Sequence, residues 1–168
     1  MARTILLLTA IATALMAGLF YSWTCSVIPG LARLSDDRYL AAMQAMNRAI
    51  LNPLFFVVFL GAMLLLPLCT WQHFQAAVPG RGWLLLAATV VYFIGVMGIT
   101  FFGNVPLNNL LDAADLSSTS ASGMSELRSA FERQWVRLNT IRTLASVGTL
   151  VLVLLACLRI PQEVVATN

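Results

Sequence analysis

The sequence carries very little charge. Charged side chains make up 10% of its 168 residues, where soluble domains hold roughly 25%. Lysine is absent: all ten basic residues are arginine, and they are scattered, with no basic run or stripe. Despite a formal charge of +3 and a pI near 9.1, nucleic acid is therefore not an expected partner. Histidine occurs once, as His73. It lies four residues from Cys69, and two candidate ligands are too few for a metal site. No Ser-His-Asp set, glycine-rich phosphate loop or pair of intramembrane carboxylates is present. The three cysteines, Cys25, Cys69 and Cys157, are far apart and form no CxxC motif or disulfide framework, so they read as small buried apolar residues.

What fills the sequence is apolar. Hydrophobic residues are 60% and the mean hydropathy is +0.85. A soluble fold this small cannot hide so much apolar surface, because small domains keep much of their area exposed. About 20 apolar residues cross a bilayer as a helix, and four stretches qualify: Thr4 to Ile28, Pro53 to Trp71, Trp83 to Phe102 and Asn139 to Ile160. None contains Asp, Glu or Lys, and Arg142 lies near the start of the fourth. The expected fold is all-α: one transmembrane domain over residues 1–168, an integral membrane four-helix bundle with amphipathic helical connections on one face. The first stretch loosely fits a signal peptide, but its apolar run continues well past Ala12-Thr13-Ala14, so a retained helix is expected.

Local signals mark the boundaries. Pro29-Gly30 is expected to end the first span. Asn52-Pro53 opens the second with a capping residue before a proline at the first helical position. Pro79-Gly80-Arg81-Gly82 is a tight turn that makes spans two and three antiparallel neighbours. Pro106 interrupts the chain after the third span and Pro161 comes after the fourth. Trp23, Trp71, Trp83 and Trp135 fall near span ends, as interfacial aromatics do. Ala10, Ala14, Gly18 and Ser22 form a small-residue stripe suited to close helix packing, and Gly95 and Gly98 suggest the same in the third span. Residues 31–52 read as an amphipathic helix with Leu40, Met43, Met46 and Ile50 on its apolar face. After a Ser/Ala-rich loop over Asp115 to Ser125, Leu127, Phe131, Trp135 and Leu138 mark a helix that runs into span four.

Topology brings the unusual polar residues to one membrane face, where span one ends, span two starts, span three ends and span four starts. Tyr21, Ser22, Trp23 and Thr24 close the first span. Gln44, Asn47 and Arg48, at i, i+3 and i+4, precede the second. Asn104, Asn108 and Asn109 close the third, with Asn104 a candidate cap for a short helix after Pro106. Trp135, Asn139 and Arg142 open the fourth at i, i+4 and i+7. Polar groups at membrane depth are costly unless paired, so they face a bundle interior or a cavity. The functional reading is a pocket lined by amides, guanidinium groups and rings; the structural one is that Asn and Arg cap helices and tie the connections together. Arg33, Arg38 and Arg128 read as solvated or lipid-headgroup contacts. Asp112, Asp115, Glu126 and Glu132 read as solvated charges, with Asp112 four residues from Asn108 and so within reach of the pocket.

Four segments carry a resemblance: Gly-Leu-Phe-Tyr-Ser-Trp (18 to 23) with Pro29, Met-Asn-Arg-Ala-Ile-Leu-Asn-Pro (46 to 53), Gly-Asn-Val-Pro-Leu-Asn (103 to 108) and Trp-Val-Arg-Leu-Asn-Thr-Ile-Arg (135 to 142). In this order and placement they resemble the anthrone oxygenase-like family of small four-span membrane proteins. The resemblance implies a multi-pass protein of a bacterial cytoplasmic membrane. It also implies O₂-dependent oxidation of a lipophilic, enolisable aromatic molecule, with O₂ as co-substrate and no expected cofactor. In that reading Arg48, Arg142, Asn104 and Asn108 stabilise an oxyanion, and Tyr21, Trp23 and Trp135 stack on the rings. Gln44, Asn47 and Asn139 complete the substrate site. The base is Asp112, Tyr21 or a water held by Asn139. Expected partners are the lipophilic substrate and membrane lipid, with a homo-oligomer left open. The competing readings are a non-catalytic membrane module that binds a lipophile or joins a larger complex, and a metal-dependent form of the same oxidation.

Overall fold

In lipid, backbone N–H and C=O groups must pair within their own segment, so long apolar runs become helices. The computed structural model describes residues 1–75 and 78–159; Ile160, the expected end of span four, and Pro161 after it lie outside the described residues. Among those described there are five helices and no strand: α1 (Ala2–Leu31), α2 (Asp36–Ala49), α3 (Pro53–Phe74), α4 (Arg81–Asp112) and α5 (Ala121–Leu158). All but α2 are long and apolar enough to cross a membrane. They form an all-α bundle in which α1 and α4 are each flanked by α3 and α5. With 38 residues, α5 rises ~57 Å, so about half of it stands beyond a hydrocarbon core of roughly 30 Å. On that projecting half α2 packs.

The bundle is apolar outside and holds hydroxyls inside. Leu54, Ile94, Phe102 and Leu144 project outward, while Thr9, Thr13, Thr70, Thr100 and Thr149 are buried. Each of these threonines donates to the carbonyl four residues back, so its hydroxyl is satisfied within its own helix and neighbouring helices can approach closely. Cys69 is buried, but Cys25 and Cys157 are on the outer surface, where a thiol is compatible with lipid. Trp71 and Trp83 stand outward as interfacial aromatics do, whereas Trp23 and Trp135 turn inward.

The small-residue stripe of α1 is not a packing face within the chain. Ala14, Gly18 and Ser22 are exposed, and α1 instead buries Thr9, Ala12, Thr13, Met16, Ala17 and Phe20. Larger side chains at those positions fill the interior better than a glycine stripe does. Gly95 does act as expected: a Cβ added there would lie 2.5 Å from the Cβ of Ala145, so α4 and α5 touch at this point. Gly98 meets only Phe93 of its own helix. Gly95→Val should therefore overpack the α4–α5 contact and cost about 1–3 kcal/mol, read as a lower unfolding temperature in detergent; an unchanged value would show that the contact yields freely.

Neither Pro29 nor Pro106 ends its helix. A proline lacks an N–H and its ring collides with the carbonyl four residues back. Both prolines come just after a widened turn, Trp23–Val27 in α1 and Thr100–Asn104 in α4, in which the bonds run from Ile28 N–H to the Trp23 carbonyl and from Val105 N–H to the Thr100 carbonyl. The π-helical turn moves the offending carbonyl aside, and the helix passes through. Asn104 is accordingly a helical residue and not a cap. Asn52 does cap α3, accepting from the Phe55 N–H at 3.1 Å. Ser120 caps α5 by accepting from the Gly123 N–H at 3.2 Å, which starts that helix ahead of the expected Ser125.

Tyr39, Leu40 and Met43 of α2 form a small second core with Leu111, Phe131 and Trp135. Arg128 fastens this cap. It pairs with Asp36 at 3.0 Å and Glu132 at 2.8 Å, donates to the carbonyls of Ala32 and Leu34, and lies 4.4 Å over the Tyr39 ring. Neither Arg128 nor Glu132 is therefore a free solvated charge. Burial pushes the Tyr39 phenol well above its ordinary range, which keeps the ring neutral beneath the guanidinium.

Candidate functional site

Where the four long helices meet α2, they enclose a cavity of about 180 Å³. One water needs roughly 10–15 Å³, so the space suits an organic ligand. Every helix contributes. Phe20 and Trp23 come from α1, Asn47 and Arg48 from α2, Phe55 from α3, Thr100, Asn104, Asn108 and Asp112 from α4, and Trp135 and Arg142 from α5. Leu19, Met46, Ile50, Leu51 and Val105 supply apolar wall.

Arg142 forms the floor. It is 8% exposed, and among the described residues no carboxylate pairs with it. Its Nη groups donate to Asn139 Oδ1 at 3.0 Å and, weakly, to Thr100 Oγ1 at 3.5 Å. The guanidinium lies 4.6 Å from the Phe20 ring and 5.6 Å from the Trp135 ring. Its Nε is buried with no partner, as are Nδ2 and Oδ1 of Asn104 and Nδ2 of Asn47. Buried polar atoms are nearly always bonded, and a buried charge is costly without a counterion. Three unsatisfied side chains around one hollow therefore mark a place where a ligand supplies the partners.

The mouth differs from the floor. Arg48 Nε donates to Asp112 Oδ1 at 2.5 Å, with side chains 62% and 47% exposed. Arg48 is thus a rim residue paired to a carboxylate rather than a buried donor. Trp135 is oriented by its indole N–H, which donates to Asn108 Oδ1 at 2.8 Å, and its ring centroid lies 5.1 Å from that of Trp23.

Three expected site residues do not line the cavity. Tyr21 is 59% exposed and faces outward, because the widened turn after it gives the inner position to Phe20. Gln44 donates to the carbonyls of Leu111 and Ala114 at 2.8 and 3.0 Å, closing the C-terminal turn of α4. Asn139 is fully buried behind Arg142 and donates to Thr24 Oγ1 at 3.1 Å, which in turn lies 2.8 Å from Thr143 Oγ1. Phe20, Thr100 and Thr143 were not among the expected residues. The available signals were spacing, Phe20 to Trp23 at i+3 and Thr100 to Asn104 at i+4, and a proline two residues beyond each widened turn. At the other end of the bundle, His73 Nδ1 donates to the Cys69 carbonyl at 2.9 Å. Among the described residues no three His, Cys, Asp or Glu side chains gather.

A family profile described as anthrone oxygenase matches residues 43–152, well over half of the chain. The chain belongs to the anthrone oxygenase family. The matched stretch holds Asn47, Arg48, Asn104, Asn108, Asp112, Trp135, Asn139 and Arg142, while Phe20 and Trp23 precede it. No curated protein and no solved structure matches the chain. With four helices fit to cross a bilayer, this anthrone oxygenase family member is a membrane protein.

The cavity offers a family member a definite set of interactions. It has one uncompensated cation, amide donors and an amide acceptor with free edges, flat aromatic walls, and a single carboxylate at the rim. Such a set binds a planar molecule whose oxygen carries negative charge.

Proposed function

We propose that the protein is a membrane oxidoreductase that takes a flat, lipophilic carbon acid of the anthrone type from the bilayer, binds it as its enolate and lets it react with O₂. The unpaired, buried guanidinium of Arg142 carries this reading. A donor set fixed in a low-dielectric site stabilises charge that develops during reaction far better than water does. Arg142 Nε and the Asn104 and Asn47 amides are free to receive that oxygen, and Phe20, Trp23 and Trp135 provide ring faces.

The chemistry balances with O₂ as the sole oxidant: R₂CH₂ + O₂ → R₂C=O + H₂O. Loss of a carbon proton gives the enolate. The enolate passes one electron to O₂, and the resulting pair joins to form a C–O bond and a hydroperoxide. Loss of the second proton from that carbon breaks the O–O bond, leaving the carbonyl and water. The chain's part is to make the first proton acidic by stabilising the enolate oxygen, and to hold the ring still while O₂ arrives.

The direct test uses purified protein in nanodiscs with 1,8-dihydroxyanthrone as probe. Oxygen uptake and quinone absorbance should rise together, one O₂ for each new carbonyl, faster than in protein-free nanodiscs. Binding without acceleration, seen as tryptophan quenching alone, would favour a lipophile-binding module instead. Neither binding nor turnover would reject the assignment.

A further inference from the structure

We infer that Asp112 is the base that removes both carbon protons, an inference that rests on reading the cavity as the site of that oxidation. The reaction needs a proton acceptor twice at the same carbon. Among the described side chains lining the cavity, Asp112 is the one carboxylate; the others are arginines, amides, a threonine, rings and aliphatic groups. The remaining candidates are ruled out by position. Tyr21 faces outward. Asn139 is sealed behind Arg142 and has both amide groups engaged, so it holds no water in the cavity.

The placement of Asp112 fits the shape of the substrate. In an anthrone the acidic CH₂ and the oxygen that takes up the charge lie on opposite edges of the middle ring. A base must therefore stand across the cavity from the oxyanion donors. Arg142 is at the floor and Asp112 at the mouth. Arg48 grips Oδ1, which fixes the carboxyl group while Oδ2 takes the proton. Because the Asp112 side chain is about half exposed, the proton passes on to water and the carboxylate is ready for the second transfer. Arg48 is a positioning residue in this scheme.

Proton removal can be measured apart from oxygen chemistry. In anaerobic deuterated buffer, wild-type protein in nanodiscs should speed deuterium uptake into the CH₂ of 1,8-dihydroxyanthrone over protein-free nanodiscs. Asp112→Asn should lose at least tenfold of that acceleration while still quenching with the probe. Asp112→Ala should lose as much, and added formate should restore part of it, since the rim is open to solvent. Unchanged exchange in Asp112→Asn overturns the inference, as does a loss in Asp112→Ala that formate leaves unmoved. A wild-type protein that oxidises the probe without speeding exchange overturns Asp112 alone. One that neither binds nor oxidises it overturns the reading of the cavity as well.

Discussion

Arg142→Ala is expected to lower the rate of oxidation by about 10²–10³-fold, with the bundle intact. Loss of one preorganised donor to a developing oxyanion costs roughly that much, near 2.7–4 kcal/mol, and Arg142 is the full charge at the floor of the cavity. Truncation removes its free Nε and the ring contacts with Phe20 and Trp135. Stability should change far less than activity. The variant loses a hydrogen bond to Asn139, but it also removes a buried cation with no carboxylate partner, and these effects oppose one another. Arg142→Lys keeps the charge yet lacks the flat, forked donor edge, so it should recover only part of the rate. Arg48→Ala provides the contrast. Its ion pair is largely exposed, and exposed pairs are worth about 0–1 kcal/mol, so a loss below tenfold is expected. Oxygen uptake and unfolding temperature, measured on the same preparations, separate the two arginines. Equal losses in both would mean that floor and rim do the same job and would reject the distinction drawn between them.

Much of this arrangement is legible in the sequence because two strong constraints act on it. Lipid forces long apolar runs into helices, and four of them must bring their alternate ends to one face. That is enough to gather Trp23, Asn47, Arg48, Asn104, Asn108, Asp112, Trp135 and Arg142 at a single cavity. What the sequence hides is phase and depth. A π-helical turn adds a residue to its turn of helix and rotates the N-terminal part of the helix relative to the C-terminal part, so Phe20 and not Tyr21 faces inward. A straight 3.6-residue period does not reveal this, although the prolines just beyond the turns mark the places. Depth is lost for another reason. Trp135, Asn139 and Arg142 share one stripe, which reads as three equivalent wall residues. A long helical side chain leans back toward its own N-terminus, so the Arg142 guanidinium covers Asn139 and leaves the amide in the second layer. Arg128 shows the same limit on the surface side: its spacing resembles that of a solvated arginine, and only the folded cap brings Asp36 and Tyr39 to it.

The buried position of Asn139 makes it the most informative place to change one atom. Asn139→Asp puts a carboxylate oxygen where Arg142 already meets Oδ1 at 3.0 Å. Thr24 can meet the other oxygen by donating its hydroxyl proton instead of accepting from Nδ2. The new pair supplies the counterion that the cavity otherwise takes from its ligand. Burying a second charge costs desolvation, but the cation is already buried, so its attraction to the carboxylate offsets much of that cost. The variant is expected to unfold at the same temperature as the wild type or higher. It should bind ionised 1,8-dihydroxyanthrone at least a hundredfold more weakly, about 2.7 kcal/mol, because the ligand's oxygen now competes with a fixed carboxylate. Asn139→Leu works in the opposite sense. It leaves an Nη group of Arg142 without its acceptor and should destabilise the bundle by about 1–3 kcal/mol, while the charge stays free to attract the ligand. If the open charge of Arg142 is what the cavity presents, stability and affinity must move in opposite directions at this one position. Affinity retained in Asn139→Asp would mean that ligand charge is not what Arg142 reads.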